Sequence, residues 1–97
     1  MLIARVIGTT VSTIKDPKLV GQKLLIVRQT DEHGEAFGKP YVAIDTVDAG
    51  VGDLVLTAAG SSARQTATTK DTPVDAVIMS IIDSLAVDDE VVFRKSR

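Results

Sequence analysis

The run Asp53-Leu54-Val55-Leu56-Thr57 is a short apolar strand held between two glycine corners, one at Gly50-Val51-Gly52 and one at Gly60. Glycine reaches backbone conformations closed to other residues, so both corners read as sharp changes of direction. A strand of this length buries nothing by itself, and other strands must cover it. After the second corner, Ser61 offers an N-cap for one helical turn over Ser62-Ala63-Arg64-Gln65.

The remaining segments supply that cover. Residues 2 to 14 predict one long strand bent at Gly8 and ended by Pro17, which has no N–H for a continuing ladder. Lys23 to Thr30 predicts a second strand, apolar on both faces over Leu24-Leu25-Ile26-Val27. The charged turn Asp31-Glu32-His33-Gly34-Glu35 then leads by a hairpin to a third strand at Tyr41–Asp45. Thr66 to Pro73 carries almost no large apolar residue and reads as an exposed loop. Val74 to Leu85 fits a strand better than a helix, with Ile78, Ser80, Ile82 and Ser84 on one face. A last short strand, Val91-Val92-Phe93, precedes the basic tail Arg94-Lys95-Ser96-Arg97.

Side-chain chemistry agrees with a β-dominated chain. Valine, isoleucine and threonine total 31 of 97 residues, and β-branching suits pleated surfaces. Phe37, Tyr41 and Phe93 are the only aromatics, so the core must be built from small aliphatics. The length suits one domain, 1–97, with no internal boundary. Five or six strands with one short helix between the fourth and fifth predict an all-β fold, a small OB-like Greek-key barrel. In such a barrel one face of each strand points inward. The second apolar face of strands two and five is then surplus, and it argues for self-association.

Charge and composition exclude several functions. A net charge of -2 and an isoelectric point near 5.2 do not suit phosphate neutralisation along a nucleic acid. Three aromatics leave little for base stacking. Cysteine is absent, which removes disulfides and thiolate metal sites and is compatible with a reducing cytosol. No stretch of 18 apolar residues occurs, and Met1 to Ala4 is too short for a signal-peptide core. A soluble, cytoplasmic protein with neither nucleic-acid nor membrane partner is expected.

Candidate chemistry is thin. His33, the sole histidine, lies in a charged turn with neither an orienting partner nor a shielded pocket, and reads as a solvated residue. Ser61 and Ser62 follow a glycine corner but lack the G-x-S-x-G pattern and a nearby base, so capping or interface roles are favoured over a hydrolase nucleophile. Gly50-Val51-Gly52 lacks the third glycine of a nucleotide fingerprint and precedes a strand; it reads as a turn that needs positive φ. Asp45, Asp48 and Asp53 gather around that turn without the spacing of an EF-hand loop. No catalytic residue, cofactor or metal site is assigned.

Gly8 with Val11-Ser12-Thr13, Gly21-x-Lys23-Leu24-Leu25, Ala43-x-Asp45, Ala49-Gly50-x-Gly52, Gly60-Ser61-Ser62-Ala63-Arg64-Gln65 and Pro73-Val74-Asp75-Ala76 occur in an order and spacing that resembles the EutN/CcmL family of bacterial microcompartment vertex proteins. The likeness spans about residues 1 to 93. It implies a structural protein without catalysis, a homopentamer at the fivefold vertices of a polyhedral shell, with hexameric shell proteins as partners. It further implies that Gly60, Ser61, Ser62, Ala63, Arg64 and Gln65 serve the contact between subunits or line the region near the fivefold axis, with Gly50 and Gly52 in the neighbouring turn. Asp48 departs from the family, which more often has glycine there, and five copies would add a ring of carboxylates if the turn faces the axis. The alternative from the residues alone is a monomeric or dimeric OB-type ligand or oligonucleotide-binding module.

Overall fold

The computed structural model describes residues 1–11, 17, 21–59 and 76–95. Seven strands appear in chain order: β1 (Leu2–Thr9), β2 (Lys23–Gln29), β3 (Tyr41–Asp45), β4 (Leu54–Ala59), β5 (Ala76–Ile81), β6 (Ser84–Val87) and β7 (Glu90–Arg94). The first five close into a barrel in the order β1-β2-β3-β5-β4, and β6 and β7 form a separate two-stranded sheet. Every barrel pairing is antiparallel except β3 with β5, which is parallel and brief, Ile44 opposite Val77 and Asp45 opposite Ile78. Closure leaves no continuous open edge along the barrel.

Alternation sorts the side chains. Ala4, Val6, Leu25, Val27, Ala43, Val55, Ala76 and Ile78 fill the interior and are buried. The sheet closes tightly around them because most are small; each larger one contributes about 1.5–3 kcal/mol by leaving water. Tyr41 also packs against this cluster, and its hydroxyl shares a 2.7 Å hydrogen bond with Oγ1 of buried Thr57. On the outer face, Leu24, Ile44, Val77 and Ala58 lie in register across β2, β3, β5 and β4. Ile44, Val77 and Ala58 are buried there, flanked by Leu24 and Met79. Part of the surplus apolar surface of β2 and β5 is therefore used within the chain, while Ile7 and Val42 stay exposed on the outside.

Several expectations need correction. The short helix between the fourth and fifth strands is not an element of the described fold: the described residues contain no helix, and residues 61–65 lie outside them. The barrel closes through strands alone, because β4 pairs directly with both β1 and β5. β1 ends at Thr9 rather than near Ile14, and the positions 12–16 lie outside the described residues. Its bend is a bulge in which Ile7 is the extra residue between the Val6–Val27 and Gly8–Ile26 pairs.

The single strand expected over Val74 to Leu85 is two strands in different sheets. The register shift opposite Leu56 and Thr57 leaves Met79 unpaired, so the alternation changes phase within β5 and Ile81 packs toward the interior. Ile82 donates its N–H to the Leu54 carbonyl at 2.8 Å, still tied to the barrel, before the chain departs at Asp83 into β6. Simple period-two counting cannot register a bulge, which is why the break was not visible.

Candidate functional site

The segment joining β3 to β4 is built from its carboxylates. Asp45 ends β3 in the inward phase of that strand, and its side chain is 1% exposed. One carboxylate oxygen accepts the Val47 N–H at 3.0 Å and the other the Ala49 N–H at 2.9 Å. Two backbone donors that would be orphaned in a tight turn are thereby satisfied. Lys23, opposite Asp45 in the β2–β3 register, brings its ammonium to 3.4 Å from Asp45 and donates to the Ala49 carbonyl at 2.9 Å.

The same ammonium lies 3.4 Å from Asp48, whose side chain is 98% exposed. Loss of hydration acts to lower the Lys23 pKa, yet the bonds to Asp48 and Asp45 and their charges outweigh it and hold the ammonium above its ordinary value. Asp48 has φ 58°, the left-handed region where glycine is favoured, so a carboxylate there replaces the easier backbone choice. Lys23 offsets part of that cost with an attractive charge.

The second half of the turn is pinned to β1. Asp53 accepts the Gly50 N–H on its carboxylate at 2.9 Å, and its own N–H returns to the Gly50 carbonyl at 3.0 Å. Val6 donates to the Asp53 carbonyl and accepts from the Gly52 N–H, at 2.9 and 2.8 Å. Gly52 has φ 97°, and a Cβ built on it would meet nothing within 4 Å. Glycine is needed at 52 for its backbone, not for space; Gly50 lies outside the positive-φ region, contrary to the reading of the whole Gly50-Val51-Gly52 corner.

Asp48, Gly50 and Gly52 thus share one exposed turn at the barrel surface. The companion residues Gly60, Ser61, Ser62, Ala63, Arg64 and Gln65 lie outside the described residues. Asp45 and Asp53 are committed to different partners, Lys23 in one case and Gly50 with Lys95, 3.8 Å away, in the other. The Lys23–Asp45 pairing was not anticipated; its signal was available in the common inward phase of both residues once the β2–β3 hairpin is drawn.

His33 sits in the β2–β3 connection, half exposed, with Nδ1 3.3 Å from Glu32. Asp31 braces that turn by accepting the N–H groups of Glu35 and His33 at 3.0 and 2.8 Å. Those bonds, Glu35 first, hold the Asp31 carboxyl below its ordinary value. Asp31, Glu32 and His33 lie close together, but one carboxylate oxygen of Asp31 already serves two backbone donors. The turn is organised as a loop brace.

Comparison with known proteins places this geometry. The carboxysome shell vertex protein CcmL of Gloeobacter violaceus is 44% identical over 95 residues, 98% of this chain and 95% of that protein. The solved structure of Gloeobacter violaceus CcmL superposes with a TM-score of 0.91 at 44% identity, covering 98% of each chain. The pentameric microcompartment shell protein GrpN of Rhodospirillum rubrum superposes with a TM-score of 0.81 at 40% identity, covering 90% of this chain and 99% of that one. The family described as ethanolamine utilisation protein EutN/carboxysome matches residues 1–83. With identity and fold agreeing across barrel and hairpin alike, the chain belongs to the EutN/CcmL family of microcompartment shell vertex proteins.

Proposed function

We propose that this chain is a structural shell protein whose homopentamer caps the fivefold vertices of a bacterial microcompartment in the cytoplasm, set among hexameric shell proteins. It works without catalysis, as befits a family of shell components, and as a single domain over residues 1–97. The observation that carries the reading is agreement with vertex proteins over almost the whole chain, in sequence and in backbone together. Strand order alone would not serve, because OB-like barrels host unrelated functions, oligonucleotide binding included.

In this reading the turn bearing Asp48, Gly50 and Gly52, with the segment from Gly60 through Ser61, Ser62, Ala63 and Arg64 to Gln65, serves the subunit contacts or the region around the axis. What supports it is the exposure of the turn and the small side chains that follow Gly60. Small residues let neighbouring backbones approach closely, and closed rings repeat such a contact at every boundary.

Native mass spectrometry tests the assembly. Five copies of a 10.3 kDa chain give a species near 50 kDa, whereas a stable monomer at micromolar concentration would overturn the reading. Co-expression with hexameric shell proteins of a microcompartment tests the partner: closed polyhedra should form only when this chain is present.

A further inference from the structure

Among the described residues the β6–β7 hairpin stands apart from the barrel as a sheet of two strands, each paired only with the other. A lone hairpin is marginal in water unless something packs on it. Its base is tied down where Ile82 donates to the Leu54 carbonyl, the Lys95 N–H donates to the Asp83 carbonyl at 2.7 Å, the Lys95 ammonium lies 3.8 Å from Asp53, and Phe93 approaches the Gly34 turn. Beyond the base, Val87 and Val91 are 37% and 49% exposed.

The tip has the wrong residues for its own turn. Val87 pairs with Glu90 across a two-residue loop, and Asp88 and Asp89 have φ of 53° and 64°. Both values belong to a type I′ turn, which Asn-Gly forms with less strain. Aspartates here bring two carboxylates beside a third on Glu90, and none of the three is in an ion pair among the described residues. Local folding does not account for that concentration of charge.

The base of the hairpin has the complementary chemistry. A groove of about 500 Å³ opens between hairpin and barrel, lined by Arg5, Asp53, Leu54, Phe93, Arg94 and Lys95 among others. Three cations there face one carboxylate. The Arg5 guanidinium is held in place by donating to the carbonyls of Gly52 at 2.9 Å and Gly34 at 3.2 Å, while Phe93 supplies an apolar wall. Four to five residues per strand put the tip roughly 15 Å from this groove, given a rise near 3.3 Å per residue. A hairpin cannot fold its tip back onto its own base, so the two complementary charges do not meet within one chain.

We propose that the hairpin is an arm between subunits, its acidic tip Asp88-Asp89-Glu90 docking in the cationic groove of Arg5, Arg94 and Lys95 on the next copy of the chain. The inference rests on the ring assembly proposed above and supplies it with a specific contact. Tip and groove are different surfaces, so the contact is head-to-tail, the type that generates a ring when its rotation closes. The charges select the neighbour and its register, and the exposed valines add buried apolar area alongside.

The test is a charge swap in the full-length chain, read by native mass spectrometry over a dilution series. Reversal of the tip (Asp88→Lys, Asp89→Lys, Glu90→Lys) and reversal of the groove (Arg94→Glu, Lys95→Glu) should each raise the concentration for half-assembly by about tenfold or more. The combined variant should recover most of that loss. A milder pair, Asp88→Asn with Asp89→Gly, should raise the thermal midpoint of the monomer while weakening assembly severalfold, which a purely local role of the turn does not produce.

Assembly within twofold of the parent in the tip variant, or a combined variant no better than either reversal, overturns the arm. An intact ring that no longer enters shells would place the tip against a different shell protein and overturns it also. If the parent chain is itself a stable monomer, the assembly reading fails; a parent pentamer indifferent to the reversals removes the arm alone.

Discussion

Replacing Asp45 separates two reasons for burying a carboxylate at the end of β3. It accepts two backbone N–H groups and lies 3.4 Å from the Lys23 ammonium. Asparagine in its place keeps the shape but offers one acceptor oxygen, so one of the Val47 and Ala49 amides faces an NH2 group instead. Hydrogen bonds to a charged acceptor contribute about 1.5–3 kcal/mol each, and an orphaned buried donor costs about 1–3 kcal/mol. Asp45→Asn should therefore cost about 2–4 kcal/mol. The Lys23 side chain is 48% exposed, which screens its attraction to Asp45. Lys23→Met should therefore cost clearly less than Asp45→Asn, with a correspondingly small coupling in the double variant. Urea unfolding of the four proteins at one fixed protein concentration measures all three quantities. If Lys23→Met costs as much as Asp45→Asn, and the double variant costs no more than either, the ion pair is the dominant interaction and the argument from backbone capping is wrong.

Two further outcomes follow from the same structure. Tyr41→Phe removes the partner of the Thr57 hydroxyl, which is 2% exposed as a residue, and should destabilise by about 1–2 kcal/mol; Thr57→Val in the same chain should recover part of it, measured by thermal unfolding. Asp31 has a folded pKa below its ordinary value of 3.8, so its contribution is present above that value and is lost as pH falls through the folded pKa. Asp31→Ala should accordingly flatten the stability profile on the acid side of pH 4, and an unchanged acid limb would show that the brace at Glu35 and His33 is not coupled to folding.

The barrel was legible because its signals are local. The apolar run Leu24-Leu25-Ile26-Val27, the glycine-marked turn at Gly34, the proline before Tyr41 and the glycine corner before Asp53 each act within a few residues, and together they delimit β2, β3 and β4 closely. Asp48, Gly50 and Gly52 were singled out for the same reason, since glycine and aspartate mark turns wherever they occur. The family likeness was legible through motifs distributed along the chain, whose joint spacing is specific although each motif is short.

What the residues determined by themselves was β structure with a small aliphatic interior, an acidic surface and membership of a shell-building family. These depend on composition, period and motif order, which are properties of the chain before it folds. The phase change at Met79, the departure of β6 and β7 from the barrel, and the meeting of Lys23 with Asp45 were decided by tertiary structure. A bulge costs one residue of register and leaves no mark in an apolar run, and a lysine finds its carboxylate only once two strands are set side by side. The groove between Arg5 and Arg94, drawn from residues 89 positions apart, has the same origin: barrel closure brings the first strand to the base of the last.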